Sequence, residues 1–224
     1  MKNKLLNAIL LCSVIMANAQ TKYGVQASGV MSSASFSESS TDNIDKDLNA
    51  GFAAGVYAEF PLNTKFSIKP GLNFMQKGVK VSNKFTDEGT QYKQNVKANL
   101  NYLEVPVLAI YNFKGTDGKW FVGAGPSASY GISGKLKGKI NVNDGETSQS
   151  ESFSVHAFRK ENDNGADFKR FDLGAEAVIG HNISKNMAVQ VNYIHGLSNI
   201  ASNSGFDNEK FKNRNMMVSL KYKI

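Results

Sequence analysis

The chain of 224 residues has one cysteine, one tryptophan and four prolines. Cys12 lies inside the apolar stretch Leu5 to Met16, which follows Lys2 and Lys4 and precedes Ala17-Asn18-Ala19. A positive start, a short apolar core and a small-x-small site form the pattern of a cleavable secretory signal. The expected division is a signal peptide over residues 1–19 and one domain over residues 20–224. Export would remove Cys12 and leave no thiol, which excludes disulfides and Cys-based metal sites from the exported protein. A lipoprotein signal needs a small residue just before its cysteine, whereas Leu10 and Leu11 precede this one. Lipid anchoring is not expected.

Long hydrophobic runs are also missing. Leu5 to Met16 falls short of the roughly 20 apolar residues a spanning helix needs, and no later stretch approaches that length. Sustained helical periodicity is absent as well. The three histidines, His156, His181 and His195, show no His-x-x-x-His or comparable spacing, so neither a metal nor a cofactor is expected. The formal charge of +7 falls to about +5 once Lys2 and Lys4 are removed. The lysines are scattered, with no basic helix or stacking motif, and nucleic acid is not an expected partner. An anionic lipid surface fits this charge better.

What recurs is two-residue alternation, in eight segments at about 22–32, 50–60, 65–80, 97–113, 119–133, 167–181, 186–197 and 213–224. The expected fold is all-β: an eight-stranded antiparallel up-and-down transmembrane β-barrel, whose even strand number allows closure without free edges. The connections 61–64, 114–118 and 182–185 are short, whereas 33–49, 81–96, 134–166 and 198–212 are long and polar. Short periplasmic turns and long extracellular loops are the asymmetry of outer-membrane barrels, and both termini then fall at the periplasmic end. Pro70, Pro106 and Pro126 lie inside the segments. Each removes a ladder donor, so local bulges or irregular pairing are expected there.

A membrane barrel is apolar outside and polar inside. Phe52, Ala54, Val56, Ala58 and Phe60 share one face, as do Phe171, Leu173, Ala175, Ala177 and Ile179, and Met216, Val218, Leu220, Tyr222 and Ile224. Aromatic residues on this face fall into two groups. Phe60, Phe66, Phe113, Trp120 and Tyr222 lie near the short turns, and Phe52, Phe74, Tyr130, Phe171 and Tyr193 towards the long connections. Trp120 and Tyr130 are roughly 33 Å apart along a strand, which a tilt near 40° reduces to about 25 Å, the height of an outer-membrane apolar band. The opposite parity sends Glu59, Lys69, Asn73, Tyr102, Glu104, Asp172, Glu176, Gln190, Asn192 and Lys221 into the lumen. Such charges must be paired or hydrated. Glu59, Glu104 and Glu176 are available to Lys69, Arg170 and Lys221 for an ion-pair network.

Several short stretches carry a resemblance: Tyr57-Ala58-Glu59-Phe60-Pro61-Leu62, Phe66-Ser67-Ile68-Lys69-Pro70-Gly71-Leu72, Gln76-Lys77-Gly78, Leu100-Asn101-Tyr102-Leu103-Glu104-Val105-Pro106 and Gly123-Ala124-Gly125-Pro126. Tyr193 to Asn199 and Lys212-Asn213-Arg214 extend it to the last hairpin. From about Tyr23 to the C-terminus the chain resembles the Bacteroidota outer-membrane β-barrel domain family, often called porin-family or PorT-like. The resemblance implies location and architecture, places the prolines in expected positions and brings no catalytic residues. One departure is the ending Tyr222-Lys223-Ile224, where such barrels commonly finish on an aromatic residue.

Eight strands leave an interior just filled by side chains, so a diffusive channel is not expected. The leading functional expectation is a non-enzymatic structural or partner-binding role. It would act through extracellular loops or as an accessory of an envelope complex, with outer-membrane lipid and an envelope protein as partners. A small-solute porin is the alternative. A rim-located lipid-modifying enzyme, built from Ser198, His195 and Asp207, is a second one, but serine and asparagine occur in every long connection and the coincidence is cheap. No catalytic, cofactor-binding or metal residue is therefore assigned. The long connection 134–166 starts with Lys135, Lys137 and Lys139 and continues with Ser, Glu, Asp and Asn, a composition that suits either partner binding or solvated disorder.

Overall fold

The structure, a computed structural model, describes residues 21–37, 44–87, 90–113, 119–143, 147–158, 168–200 and 210–224. The expected signal peptide and the turn 114–118 lie outside the described residues. The described residues form ten strands: β1 (Lys22–Ser37), β2 (Ile44–Asp47), β3 (Asn49–Pro61), β4 (Phe66–Asp87), β5 (Thr90–Asn112), β6 (Trp120–Asn143), β7 (Ser148–His156), β8 (Phe171–Asn182), β9 (Met187–Gly196) and β10 (Lys210–Lys223). All pairings are antiparallel. Following neighbours from β4 through β3, β1, β10, β9, β8, β6 and β5 leads back to β4, so the pairing forms a ring. β2 adds to β4 and β7 adds to β6, both off that ring.

Eight segments and four long extracellular loops were the expectation, and the structure changes both. At the end with the short turns, the described strand ends agree with the alternation to within one or two residues. At the other end the strands run on: β4 and β5 pair as far as Asp87↔Thr90, and the connection 134–166 contains the rest of β6 and all of β7. Hydrophobic alternation marks only the part of a strand that has an apolar outer face, whereas backbone pairing continues past it.

Two turns at the short end are built alike. In Leu62-Asn63-Thr64-Lys65, the Asn63 Oδ1 accepts from the amides of Lys65 and Phe66 at 2.8 and 2.9 Å. In Ile183-Ser184-Lys185-Asn186, the Ser184 Oγ accepts from the amide of Met187 at 3.0 Å. Such side chains imitate a turn's backbone bonds and fix the register of the strands that follow.

Burial alternates as the parity requires. Phe171, Leu173, Ala175, Ala177 and Ile179 are exposed, and Asp172, Gly174, Glu176, Val178 and Gly180 are buried. Met216, Val218, Leu220 and Tyr222 are exposed between buried Asn215, Met217, Ser219 and Lys221. Both aromatic groups lie on the outer face, with Phe60 and Phe74 half-buried. Phe66, Tyr111 and Phe113 stack in series at 5.1 Å each near the short turns, and Trp120 packs on His181 at 4.6 Å.

The prolines sit where the ladders skip. The β3–β4 register passes from Tyr57↔Gly71 to Phe60↔Ile68, next to Pro70. Between β4 and β5 it passes from Pro70↔Val107 to Asn73↔Glu104, opposite Pro106. Between β5 and β6 it passes from Pro106↔Ser127 to Ala109↔Ala124, at Pro126. Three adjoining strands therefore share one band of missing donors, as a proline without an N–H requires.

A bulge in β6 has a larger effect. Asn101 pairs Ser133 while Tyr102 pairs Gly131, leaving Ile132 as the extra residue. Apolar residues occupy even positions along β6, from Trp120 to Val142. Below the bulge this set faces outward; above it Leu136, Ile140 and Val142 turn inward and Lys135, Lys137 and Lys139 turn out. One inserted residue swaps the faces of a strand, and it does so beside Tyr130, at the edge of the apolar band.

Val191 lies mid-strand on the outer face, between Val218 and Ile179. Val191→Arg is expected to lower stability by about 2–4 kcal/mol, measured by urea-dependent unfolding in lipid vesicles. A cost near zero would place this face away from hydrocarbon.

Candidate functional site

Among the described residues the interior is the most elaborated part of the molecule, and side chains occupy it at three levels. Near the short turns, Leu108, Ile110, Phe121, Val178 and Ala188 form an apolar cluster, with Gly180 leaving room for the Phe121 ring. Two buried lysines share this level. Lys221 Nζ lies 3.9 Å from the centre of the Tyr57 ring and Lys69 Nζ 4.9 Å from that of Phe121. The aromatic faces offset part of the cost of burying the ammonium groups, and Glu59 and Glu176 act on both lysines electrostatically. The cavity left among Tyr57, Glu59, Lys69 and Lys221 is about 30 Å³, room for about one water.

The middle level is a hydrogen-bond network. Asn192 Nδ2 donates to Glu176 Oε1 at 2.5 Å and its Oδ1 accepts from Gln190 Nε2 at 2.9 Å. Ser28 Oγ donates to Ser219 Oγ at 2.8 Å, and Gln26 Nε2 to Asn73 Oδ1 at 2.6 Å. Above it sits an ion triad: Lys77 Nζ is 3.6 Å from Asp172 Oδ2 and 3.9 Å from Glu104 Oε1, and it donates to Ser129 Oγ at 3.1 Å. Asp172 also accepts from Ser198 Oγ at 2.7 Å and Asn213 Nδ2 at 2.8 Å. Asp172 is thus held from three sides, whereas the buried Glu104 carboxylate has Lys77 as its ion partner but accepts no hydrogen bond among the described residues; bonds of this kind favour one arrangement of the wall.

The end away from the short turns carries an apolar cap. Val79, Ala98, Leu100 and Tyr102 of the wall pack with Ala157, Phe158, Phe168, Ile200 and Phe211. Tyr102 meets Phe158 edge-on at 5.8 Å, and Phe168 meets Phe211 at 5.6 Å. Gly131 leaves space for the Phe158 ring. Backbone bonds tie the cap together: Phe168 N to Ala157 O, Lys169 N to Ile200 O and Ile200 N to Phe211 O, at 3.2, 2.8 and 3.0 Å. Ala157, Phe158, Ile200 and Phe211, in connections expected to be open loops, thus pack over the lumen.

All ten side chains assigned to the lumen by parity point inward, Glu59 half-buried and the others buried. The expected ion-pair partners differ. Lys77, not assigned to the lumen from sequence, is the cation within 4 Å of buried carboxylates among the described residues. Arg170 is instead at the rim, donating to Gly131 O at 2.9 Å with its guanidinium 5.2 Å from the Phe158 ring centre. His195 lies on the outer face beside the Tyr193 hydroxyl at 3.3 Å, whereas Ser198 turns to Asp172 inside. The structure does not bring these two together, and Asp207 lies outside the described residues. His156 is exposed in β7, and among the described residues no three His, Cys, Asp or Glu side chains cluster to hold a metal.

Lys77→Met leaves two buried carboxylates without their cation. The expected cost is about 3–5 kcal/mol in vesicle unfolding, with the Lys77→Met/Glu104→Gln pair costing less than Lys77→Met alone. Equal stability of Lys77→Met and wild type would mean that the triad does not hold the wall.

Among solved structures, the fold is similar to the attachment invasion locus protein Ail of Yersinia pestis, with a TM-score of 0.43 and 14% identity over 91% of this chain and 98% of that one. Neisserial surface protein A gives a TM-score of 0.39 and 15% identity over 90% and 97% of the two chains. An outer membrane channel from Pseudomonas putida F1 gives 0.33 and 8% over 91% and 95%. No curated protein matches the chain. The model of the outer membrane protein beta-barrel domain matches residues 16–202. With its antiparallel ring and apolar exterior, the chain belongs to the outer membrane protein beta-barrel domain family and resides in the outer membrane.

Proposed function

We propose that this chain is exported by residues 1–19 and forms a closed wall of eight strands that neither conducts nor catalyses, and that it works by binding through its extracellular face. The wall consists of β1, β3, β4, β5, β6, β8, β9 and β10, with β2 and β7 widening the sheet outside the membrane. The observation that carries this reading is the filled interior. An aqueous pore needs a continuous polar path, and here an apolar cap stands above the ion triad while Tyr57, Phe121 and two lysines stand below the amide network. The extended hairpins supply the surface instead, since strands that leave the bilayer still paired make a stiffer platform than free loops. The lineage suggested by the Tyr102 to Pro106 and Gly123 to Pro126 stretches, a Bacteroidota porin-family barrel, belongs to the same reading.

Planar-bilayer conductance of the purified protein, with heat-modifiable gel migration as the check of folding, tests it. The expected result is a heat-sensitive band with no steady conductance. Large, stable conductance from the folded form would replace this reading with a transport role.

A further inference from the structure

Beyond the outer aromatic girdle, β4, β5, β6 and β7 continue as one sheet whose outward face is cationic. The register sets Lys97 of β5 between Lys80 of β4 and Lys137 of β6. Lys80 has Asp47 of β2 as its other register partner, whereas among the described residues Lys97 and Lys137 have no acid opposite them in the register. The neighbouring rows pair Asn99 with Lys135 and Asn95 with Lys139. Lys97, Lys135, Lys137 and Lys139 are all exposed. Among the described residues, this face of β5, β6 and β7 carries no Asp or Glu: Glu151 pairs Ile140 on the opposite face. Like charges directly across a sheet destabilise it, so the protein leaves this charge to be met from outside.

The same face contains a notch. After Tyr130↔Phe171, β6 parts from β8, and from Lys135↔His156 onward it pairs β7. The bulge at Ile132 lies in the gap, where a cavity of about 480 Å³ opens. Lys135, Lys137 and Arg170 line it together with the side chains of Asn99, Asn101 and Ser133. Asn101 Nδ2 donates to Ser133 Oγ at 2.9 Å. Ile132 also lines the cavity, next to exposed Tyr130 at the edge of the apolar band. A space of this size suits a small organic group better than a bare ion. Cations above, amides between and an apolar lower border match a molecule that is charged at one end and greasy at the other.

We propose that this notch binds the phosphate-bearing headgroup of an outer-leaflet lipid. Lys135, Lys137 and Arg170 meet the phosphate, where a guanidinium fork and two ammonium groups are effective ligands. Asn99 and Asn101 meet headgroup hydroxyls, and Ile132 meets the start of the acyl chains. The assignment rests on the extracellular-face reading above for its orientation in the membrane. The bulge is what makes the site, because without it Lys135 and Lys137 would face the apolar cap.

The test is retention of bis-phosphorylated lipid A by the full exported protein in neutral detergent, read by native mass spectrometry, with phosphatidylcholine and inorganic phosphate as comparison probes. Lys135→Gln/Lys137→Gln is expected to weaken lipid A binding about tenfold or more. Lys97→Gln, on the same face, should give a smaller loss. Lys185→Gln, in the turn at the other end, should change nothing. Heat-modifiable migration verifies the fold of each variant.

Equal retention by wild type and Lys135→Gln/Lys137→Gln overturns the proposal, as does an equal loss in Lys185→Gln. Full displacement of lipid A by millimolar inorganic phosphate overturns the lipid as the source of the phosphate, and so does retention of phosphatidylcholine at the same level. Conductance by a sample that still binds lipid A in the expected pattern would remove the closed-lumen reading and leave this site standing, so the two failures are separable.

Discussion

Inside hydrocarbon every backbone N–H and C=O must find its partner within the protein, because the bilayer supplies none. In this chain that demand is met at the seam between β1 and β10, where pairing runs from Gly24↔Lys223 to Ser37↔Lys210. The last turn of chain is bound there too, with Ile224 N donating to Tyr23 O at 2.9 Å. Once the ring closes, alternation along each strand becomes a division between lipid and lumen. A ring of this size leaves an interior that side chains fill, so residues facing it must satisfy one another. The ion triad at Lys77, the amide network at Asn192 and the apolar cap at Phe158 are three solutions to that one requirement.

The outer face obeys a different rule above and below one level. Up to Tyr130 the environment is lipid, and apolar side chains belong outside. Beyond it the environment is water, and apolar side chains belong beneath the sheet. β6 meets both rules with a single alternating sequence by inserting Ile132. β5 makes the same change in its sequence: Leu103, Val105 and Val107 face outward, whereas Leu100 and Ala98 face inward. The notch and its exposed lysines follow from this crossing between two solvents. The geometry that completes the barrel's upper rim thus also gathers Lys97, Lys135, Lys137 and Lys139 on one exposed face.

Much of this was legible in the sequence, for a physical reason. Where lipid lies on one side and a packed lumen on the other, every second residue is constrained, and parity placed Glu104, Asp172, Glu176 and Lys221 inside without a structure. Lys77 escaped because around it the outer face carries Gln76 and Gly78 while the inner face carries Met75 and Val79, so the usual contrast is reversed. The alternation Lys135-Leu136-Lys137-Gly138-Lys139-Ile140 signals a strand, yet its lysines and position in a long connection gave it the look of a loop. Nothing local marks Ile132 as a bulge. Its evidence lies in the pairing with Asn101 and Tyr102, which a single strand does not contain. The cap was hidden for the same reason, since Phe158, Phe168, Ile200 and Phe211 meet only after the ring has closed.

Site-directed spin labelling in lipid vesicles tests the inside-outside division most directly. Labels placed one at a time along β10 from Asn215 to Lys221, and along β6 from Ser127 to Lys137, would be read for collision with oxygen, which partitions into lipid, and with a water-soluble nickel complex. The division described here requires oxygen contact at positions 216, 218 and 220, with little of either reagent at 215, 217, 219 and 221. On β6 it requires protection at 127, 129 and 131 followed by nickel contact at 135 and 137, a change of phase across Ile132. Oxygen contact at the odd positions of β10, or an unbroken phase through β6, would contradict it.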